Sequence, residues 1–280
     1  MRPGSSATRL EASVLAALLL GASCATVSCV GTTGGEVIMF NAAASGPADA
    51  RAGEPYTFVV ADRFGWTVTL TKATLHVGAI YFNRSMPVSG AQNTVCILPD
   101  TYIGQVTTGR DVDLLSPELQ PFPVPGEGHT EPPAAVAQVW LTGGRIDDTE
   151  DVTPILELEG TAEKEGDVKP FVAKITIGIN RVPRVDEASA QPGSSPICKQ
   201  RIVTPIQVSI ELKKTGTLLL RMDPEFLFTN VDFSTLQVSD GLSFFSDTLN
   251  PDPASKVLYD NLKTAGVPDF PRLYDFEWIP

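Results

Sequence analysis

The sequence predicts an all-β protein: a two-layer antiparallel β-sandwich with one short C-terminal helix. Three observations predict it. Stretches of period-two alternation recur along the chain, rich in threonine and branched residues that pack well on a pleated surface. Only one segment carries the start and stop signals of a helix. Helical crossovers between strands are missing, so two antiparallel sheets face to face fit better than a parallel sheet.

Residues 59–82 form the longest such stretch and organise the rest. A turn at Asp62-Arg63-Phe64-Gly65 precedes the strand proper. Thr67, Thr69, Thr71, Ala73, Leu75 and Val77 then alternate with Val68, Leu70, Lys72, Thr74, His76 and Gly78. Neither face is cleanly polar, which predicts a strand that twists or leaves its sheet midway, near Gly78. Upstream, residues 36–44 read as a first strand and residues 56–60 as a second. Downstream, residues 93–98 (with Cys96) and 101–115 read as short strands. Residues 116–133, crowded with proline and glycine, read as a loop that carries His129.

The chain continues with a strand at 134–142, a Gly143-Gly144 turn and an acidic loop at 147–151. A hairpin follows, 155–161 with 171–179, turning around Glu165-Gly166-Asp167. Residues 184–196 read as a polar linker. Strands at 200–212 and 216–222 precede a less regular stretch in which Phe226, Phe228 and Phe233 look like core plugs. Asp252 caps the helix, predicted over 253–265, and Pro253 suits its first position. Ala254, Val257, Leu258, Leu262 and Ala265 form its apolar stripe, and Gly266 with Pro268 stops it. The tail at 270–280, with Leu273, Phe276, Trp278 and Ile279, is expected to pack.

Residues 1–28 read as a signal peptide: Arg2 and Arg9 precede a short apolar run, and small residues follow. Residues 29–35 form a Gly/Thr-rich tether and 36–280 a single domain. Two cysteines, Cys24 and Cys29, stand where a bacterial lipoprotein is acylated; the reading leans to Cys29, with plain cleavage and secretion as the alternative. Processing at Cys29 leaves Cys96 and Cys198 as a pair, expected to form a disulfide in an oxidising compartment such as the periplasm or the cell exterior. The whole chain has 280 residues and a formal charge of −12, and loss of 1–28 (two arginines, one glutamate) leaves −13. That balance excludes nucleic acid and anionic membrane surfaces as partners. Membrane attachment is expected only through the N-terminal lipid.

No nucleophile elbow, zincin helix, phosphate loop or dinucleotide fingerprint is present, so no catalytic residue is assigned. The chain has two histidines. His76 and His129, helped by Met39, Met86 or Met222, make a candidate copper site, because imidazole and thioether both suit that metal. Calcium is a lesser candidate at Asp147, Asp148, Glu150 and Asp151, whose spacing is not that of a helix–loop–helix calcium site. A hydrolase reading would use Asp111 and Asp113 as acid and base. A metal-free structural or protein-interaction module of the cell envelope is the main alternative to metal binding. Trp66 and Trp140 read as packing residues.

Several stretches resemble the MbnP-like, or metallo-mystery pair, family of secreted copper-associated proteins. They are the early strand at 37–40, the long strand at 68–82, Val112-Asp113-Leu114-Leu115, the stretch 218–228 and the closing helix at 252–266. The likeness runs loosely over most of the chain and extends to a lipoprotein branch of myxobacterial type. It implies copper binding, a di-haem partner enzyme of the MauG type, and oxidation of a tryptophan to kynurenine, for which Trp66 and Trp140 are the candidates. The family's folded domain has four cysteines; here only Cys96 and Cys198 lie there, and the chain is poor in histidine.

Overall fold

The computed structural model describes residues 35–85, 102–142, 154–176, 201–247, 251–264 and 272–280. The leader, the tether up to residue 34, the strand expected at 93–98, Met86, the acidic loop at 147–151, the linker at 184–196 and all four cysteines lie outside those residues. The lipidation and disulfide readings therefore fall outside them too.

Sixteen strands are described, in two sheets. The smaller sheet contains β2 (Tyr56–Val59), β3 (Thr67–Val77), β6 (Arg110–Asp113), β10 (Pro154–Lys164), β11 (Asp167–Thr176), β14 (Gln237–Ser239) and β15 (Leu242–Phe245). Its order is β14-β15-β11-β10-β3-β2, with β6 also paired to β3. The larger sheet contains β1 (Val37–Ser45), β4 (Ala79–Asn83), β5 (Tyr102–Val106), β7 (Gln120–Pro121), β8 (Gly126–His129), β9 (Ala134–Thr142), β12 (Arg201–Ile210), β13 (Thr217–Met222) and β16 (Tyr274–Ile279). Its order is β12-β9-β4-β5-β8-β1-β13-β16, with β7 beside β1.

The antiparallel sandwich expectation fails in two respects. First, both sheets are mixed: β1 pairs β13 in parallel, and β11 pairs β15 in parallel. Second, the larger sheet curls until its end strands β12 and β16 approach one another, so it is nearly a closed barrel rather than one flat layer. Strand twist accumulates over many strands, and glycines on the concave side permit tighter curvature. A Cβ at Gly126 would lie 2.4 Å from the Phe40 ring, and one at Gly128 would lie 2.5 Å from Leu212 Cδ1. Period-two patterning reports which face is buried; it does not report which strand lies alongside.

The long stretch at 67–83 is two strands, one in each sheet. The chain crosses between the sheets at Gly78, whose N–H donates to the Trp140 carbonyl at 2.8 Å. A Cβ there would lie 1.7 Å from Thr142 Oγ1, closer than any side chain permits. The mixed faces have a second cause. The register of β3 on β10 skips Thr71, a bulge, so the buried set runs Val68, Leu70 and then Ala73, Leu75, Val77.

The concave face of the larger sheet and the inner face of the smaller one enclose a single main core, including Phe40, Ile80, Phe82, Leu141, Leu70, Leu75, Leu156 and Ile175. Phe171, Phe228, Phe233 and Phe245 interlock at ring-centroid separations of 5.2–6.4 Å. Each such ring contributes about 1.5–3 kcal/mol by leaving water. Phe226 and Phe228 are brought inward by one short 3-10 turn (Pro224–Phe228) and Phe233 by another (Phe233–Thr235). The helix α1 (Pro253–Leu262) begins at its expected cap, where Asp252 Oδ1 accepts the Ser255 N–H at 2.8 Å. Asn261 Nδ2 donates to the Leu227 and Thr229 carbonyls, pinning the helix to the phenylalanine turn. The C-terminal segment, expected only to pack, forms β16.

Two elements differ from the loop expected at 116–133. β7 and β8 both pair with β1 there. Gly126-Glu127-Gly128-His129 carries no branched residue, so it lacks the usual strand signature, yet its glycines supply the small inward positions the curled sheet needs.

The crossing gives a direct prediction. Gly78→Ala forces the Thr142 side chain away from a fully packed position and should destabilise the protein by about 1–3 kcal/mol. Urea unfolding of the two proteins checks this; equal midpoints would show that the crossing tolerates a side chain.

Candidate functional site

His76 stands two residues before the crossing, on the outer face of β3. β6 pairs with this end of β3, and the register sets Asp111 directly opposite His76 and Asp113 opposite Thr74. Asp111 Oδ1 lies 2.6 Å from His76 Nδ1. An ionised carboxylate can only accept, so a neutral imidazole so placed carries its proton on Nδ1 and presents a lone pair at Nε2. The His76 side chain is 30% exposed. Gly109 lies against the same ring edge: a Cβ there would sit 3.1 Å from Nε2. Any other residue at 109 would crowd the nitrogen that remains available.

Asp113 is occupied differently. Its Oδ1 accepts the Leu115 N–H at 2.9 Å, while its backbone exchanges hydrogen bonds with the Gln120 side chain. Asp111 orients a histidine and Asp113 shapes a turn, so the two carboxylates of the hydrolase reading have separate structural partners.

His129 lies in the larger sheet, at the end of β8, opposite Val37. Its Nδ1 is buried and has no hydrogen-bond partner among the described residues. Glu127 sits opposite both Met39 of β1 and Gln105 of β5, and Gln105 sits opposite Tyr81 of β4. Following that ladder, His129 falls level with the Asn83 end of β4, whereas His76 precedes the Ala79 end. The register thus sets the two histidines at opposite ends of β4, in different sheets. Met39 lies opposite Glu127, two residues along β1 from Val37, and Met222 is buried in the core. Among the described residues, no group of three or more His, Cys, Asp or Glu side chains is placed to hold a metal ion.

Both candidate tryptophans are buried. Trp66 packs on Phe233 with ring centroids 5.5 Å apart. Trp140 belongs to a small cluster on the convex side of the larger sheet, with Ala79, Tyr81 and Val203. The Tyr81 ring lies 4.5 Å from it, and the Arg201 guanidinium lies 4.2 Å over its face. Trp140 Nε1 donates to Gln138 Oε1 at 3.0 Å, and Gln138 Nε2 donates to Asn83 Oδ1 at 2.9 Å. Burial lowers the Arg201 pKa to about 10. Trp140 is read from the sequence as a packing residue and is buried; that the polar Asn83 and Gln138 are buried beside it was not read from the sequence.

A carboxylate group stands apart from both histidines. Tyr56 donates to Asp49 Oδ1 at 3.2 Å, and Asp223 Oδ1 accepts the Glu225 N–H at 2.9 Å, capping the phenylalanine turn. Burial raises the Asp223 pKa, with the Asp49 charge adding to it. Burial also raises that of Glu225, assisted by the charges of Asp223 and Asp49. Both groups bind their protons more tightly folded than unfolded, so their contribution to stability is present at low pH and declines as pH rises through their raised values. Asp223→Asn keeps the capping oxygen and removes the charge. It should flatten the decline in stability as pH rises above the ordinary carboxylate value of about 4. Thermal unfolding across that range checks this; an unchanged slope would contradict it.

No protein-family model matches the chain, and no curated protein matches it. Among solved structures, MbnP from Methylosinus trichosporium aligns over 87% of this chain and 99% of its own, at 11% identity and a TM-score of 0.41. At that level the likeness transfers no ligand, partner or activity to this chain.

Proposed function

We propose that this chain is an exported, non-catalytic binding protein that takes a copper ion, with His76 Nε2 as a ligand. One observation supports the reading above the rest: the 2.6 Å contact between His76 Nδ1 and Asp111 Oδ1. A metal-ligating histidine almost always donates its other ring N–H to a carboxylate or carbonyl, which fixes the tautomer, steers the ring and makes the free nitrogen a better donor. The donor chemistry fits, since imidazole suits copper and zinc, and copper lies above zinc in divalent affinity. Gly109 spares that ring edge the Cβ that any other residue would place 3.1 Å from Nε2. One imidazole does not complete a coordination sphere, so the remaining ligands are solvent or a group brought by a partner.

Export rests on the leader at 1–28, and envelope attachment on acylation of Cys29. A di-haem oxidase of the MauG type remains the proposed partner. The competing reading, a metal-free interaction module of the envelope, predicts no saturable metal binding at all.

Titration of the exported protein with Cu(II), followed by elemental analysis, tests the proposal. One equivalent should bind at His76 and be lost in His76→Ala. Asp111→Asn should weaken that event on the order of 10–100-fold while leaving the fold intact. Copper uptake unaltered by His76→Ala would remove the assignment.

A further inference from the structure

The two end strands of the larger sheet, β12 and β16, come together without pairing. Six of the seven neighbouring pairs along the sheet are antiparallel and one, β1–β13, is parallel, so β12 and β16 run in the same direction. A single strand placed between them would be antiparallel to both, the pairing that is slightly the more stable per residue.

The seam is covered at one end only. Thr204 and Tyr274 are fully buried there, and Thr204 Oγ1 donates to the Leu262 carbonyl at the end of α1 at 2.8 Å. Further along, Val208 and Ile210 of β12 and Phe276 and Trp278 of β16 pack against the core and are only half-buried. The Phe276 ring lies 5.6 Å from Phe82 and the Trp278 ring 5.9 Å from Phe40, so both point inward.

The backbone of both edges is aimed into this gap. The Asp223 N–H donates to the Leu273 carbonyl at 3.1 Å, one rung before the pair Met222–Tyr274. Alternation along that ladder turns the N–H and C=O groups of Phe276 and Trp278 away from β13. The Phe276 N–H, with no strand to receive it, donates to the adjoining Asp275 Oδ1 at 3.0 Å. On β12, Pro205 pairs with Gln138, and a proline within a ladder turns its nitrogen away from the neighbouring strand. Gln207, two residues on, faces the gap in the same way.

The outward side chains select the occupant. β16 presents Asp275 and Glu277 beside the gap, both exposed, while β12 presents Pro205, Gln207 and Ser209, with no cation among them. Arg221 reaches Glu277 at 3.6 Å from the other side, on β13. An acyl chain would cover the apolar line and leave the edge amides and carbonyls unmet. We infer that the seam accepts an extended peptide segment of a partner protein, apolar at alternate positions and basic at those between, which adds as a strand between β12 and β16. Its apolar side chains cover Val208, Ile210, Phe276 and Trp278, and its basic ones meet Asp275 and Glu277. The inference does not depend on a metal at His76.

The probe is an end-blocked peptide of alternating valine and lysine, added to the metal-free exported protein while amide hydrogen exchange is followed by NMR. Saturable binding should slow exchange at Gln207, Phe276 and Trp278. N-methylation of the peptide at alternate residues removes its donors toward one edge and should weaken binding about tenfold or more. Glutamate in place of the lysines should abolish it. Asp275→Asn combined with Glu277→Gln, both on exposed side chains, should weaken it roughly a few-fold. No binding, unchanged exchange at those amides, or equal binding of the glutamate peptide would overturn the proposal. Dodecanoate that shifts the Trp278 indole resonance, where the peptide protects none of the amides, would give the seam to an acyl chain and overturn it as well.

Discussion

The whole arrangement depends on one close approach, that of Gly78 to Thr142. There the chain leaves the smaller sheet and enters the larger one without a loop, because nothing but hydrogen projects from the α-carbon toward Thr142. The Gly78 N–H continues the pairing with β9 through the crossing. β3 and β4 thereby become one continuous tie between two curved sheets, and the inner faces of both close on a shared core. A side chain at 78 would separate the layers where they are most nearly in contact.

Much of this was legible from the residues, for physical reasons that also explain the failures. Alternation of Leu, Val and Ile marked most strands because one face of each is buried. Asp252-Pro253 marked the helix start because a cap is a local bond, made within one turn. Glu165 and Gly166 marked a hairpin turn, and both adopt positive φ. What escaped was non-local. Nothing in residues 41–45 announces that they lie parallel to residues 217–221. Gly126-Glu127-Gly128-His129 hid as a loop because its strand character comes from a neighbour, Phe40, filling the space the glycines leave. The phase change at Thr71 made β3 look two-faced when it is a regular strand with one inserted residue.

The candidate site was legible as residue types and not as geometry. His76 and His129 stand out in any reading of a chain with two histidines. Their surroundings are set by register. β6 delivers Asp111 to His76, while β8 sets His129 opposite Val37 at the other end of β4. Asp111, read first as half of a hydrolytic pair, becomes the group that orients an imidazole. The chain thus holds two separate histidine environments, one whose Nδ1 meets a carboxylate and one whose Nδ1 is buried without a partner among the described residues.

The central functional claim is that Asp111 holds His76 with its proton on Nδ1 and its lone pair on Nε2. Long-range nitrogen–proton correlation NMR of the imidazoles, at a pH where the ring is neutral, reads this directly. The account predicts a pyrrole-type shift for His76 Nδ1 and a pyridine-type shift for Nε2, with the pattern reverting toward the ordinary mixture of tautomers in Asp111→Asn. A His76 ring protonated on Nε2 in the unaltered protein would contradict it.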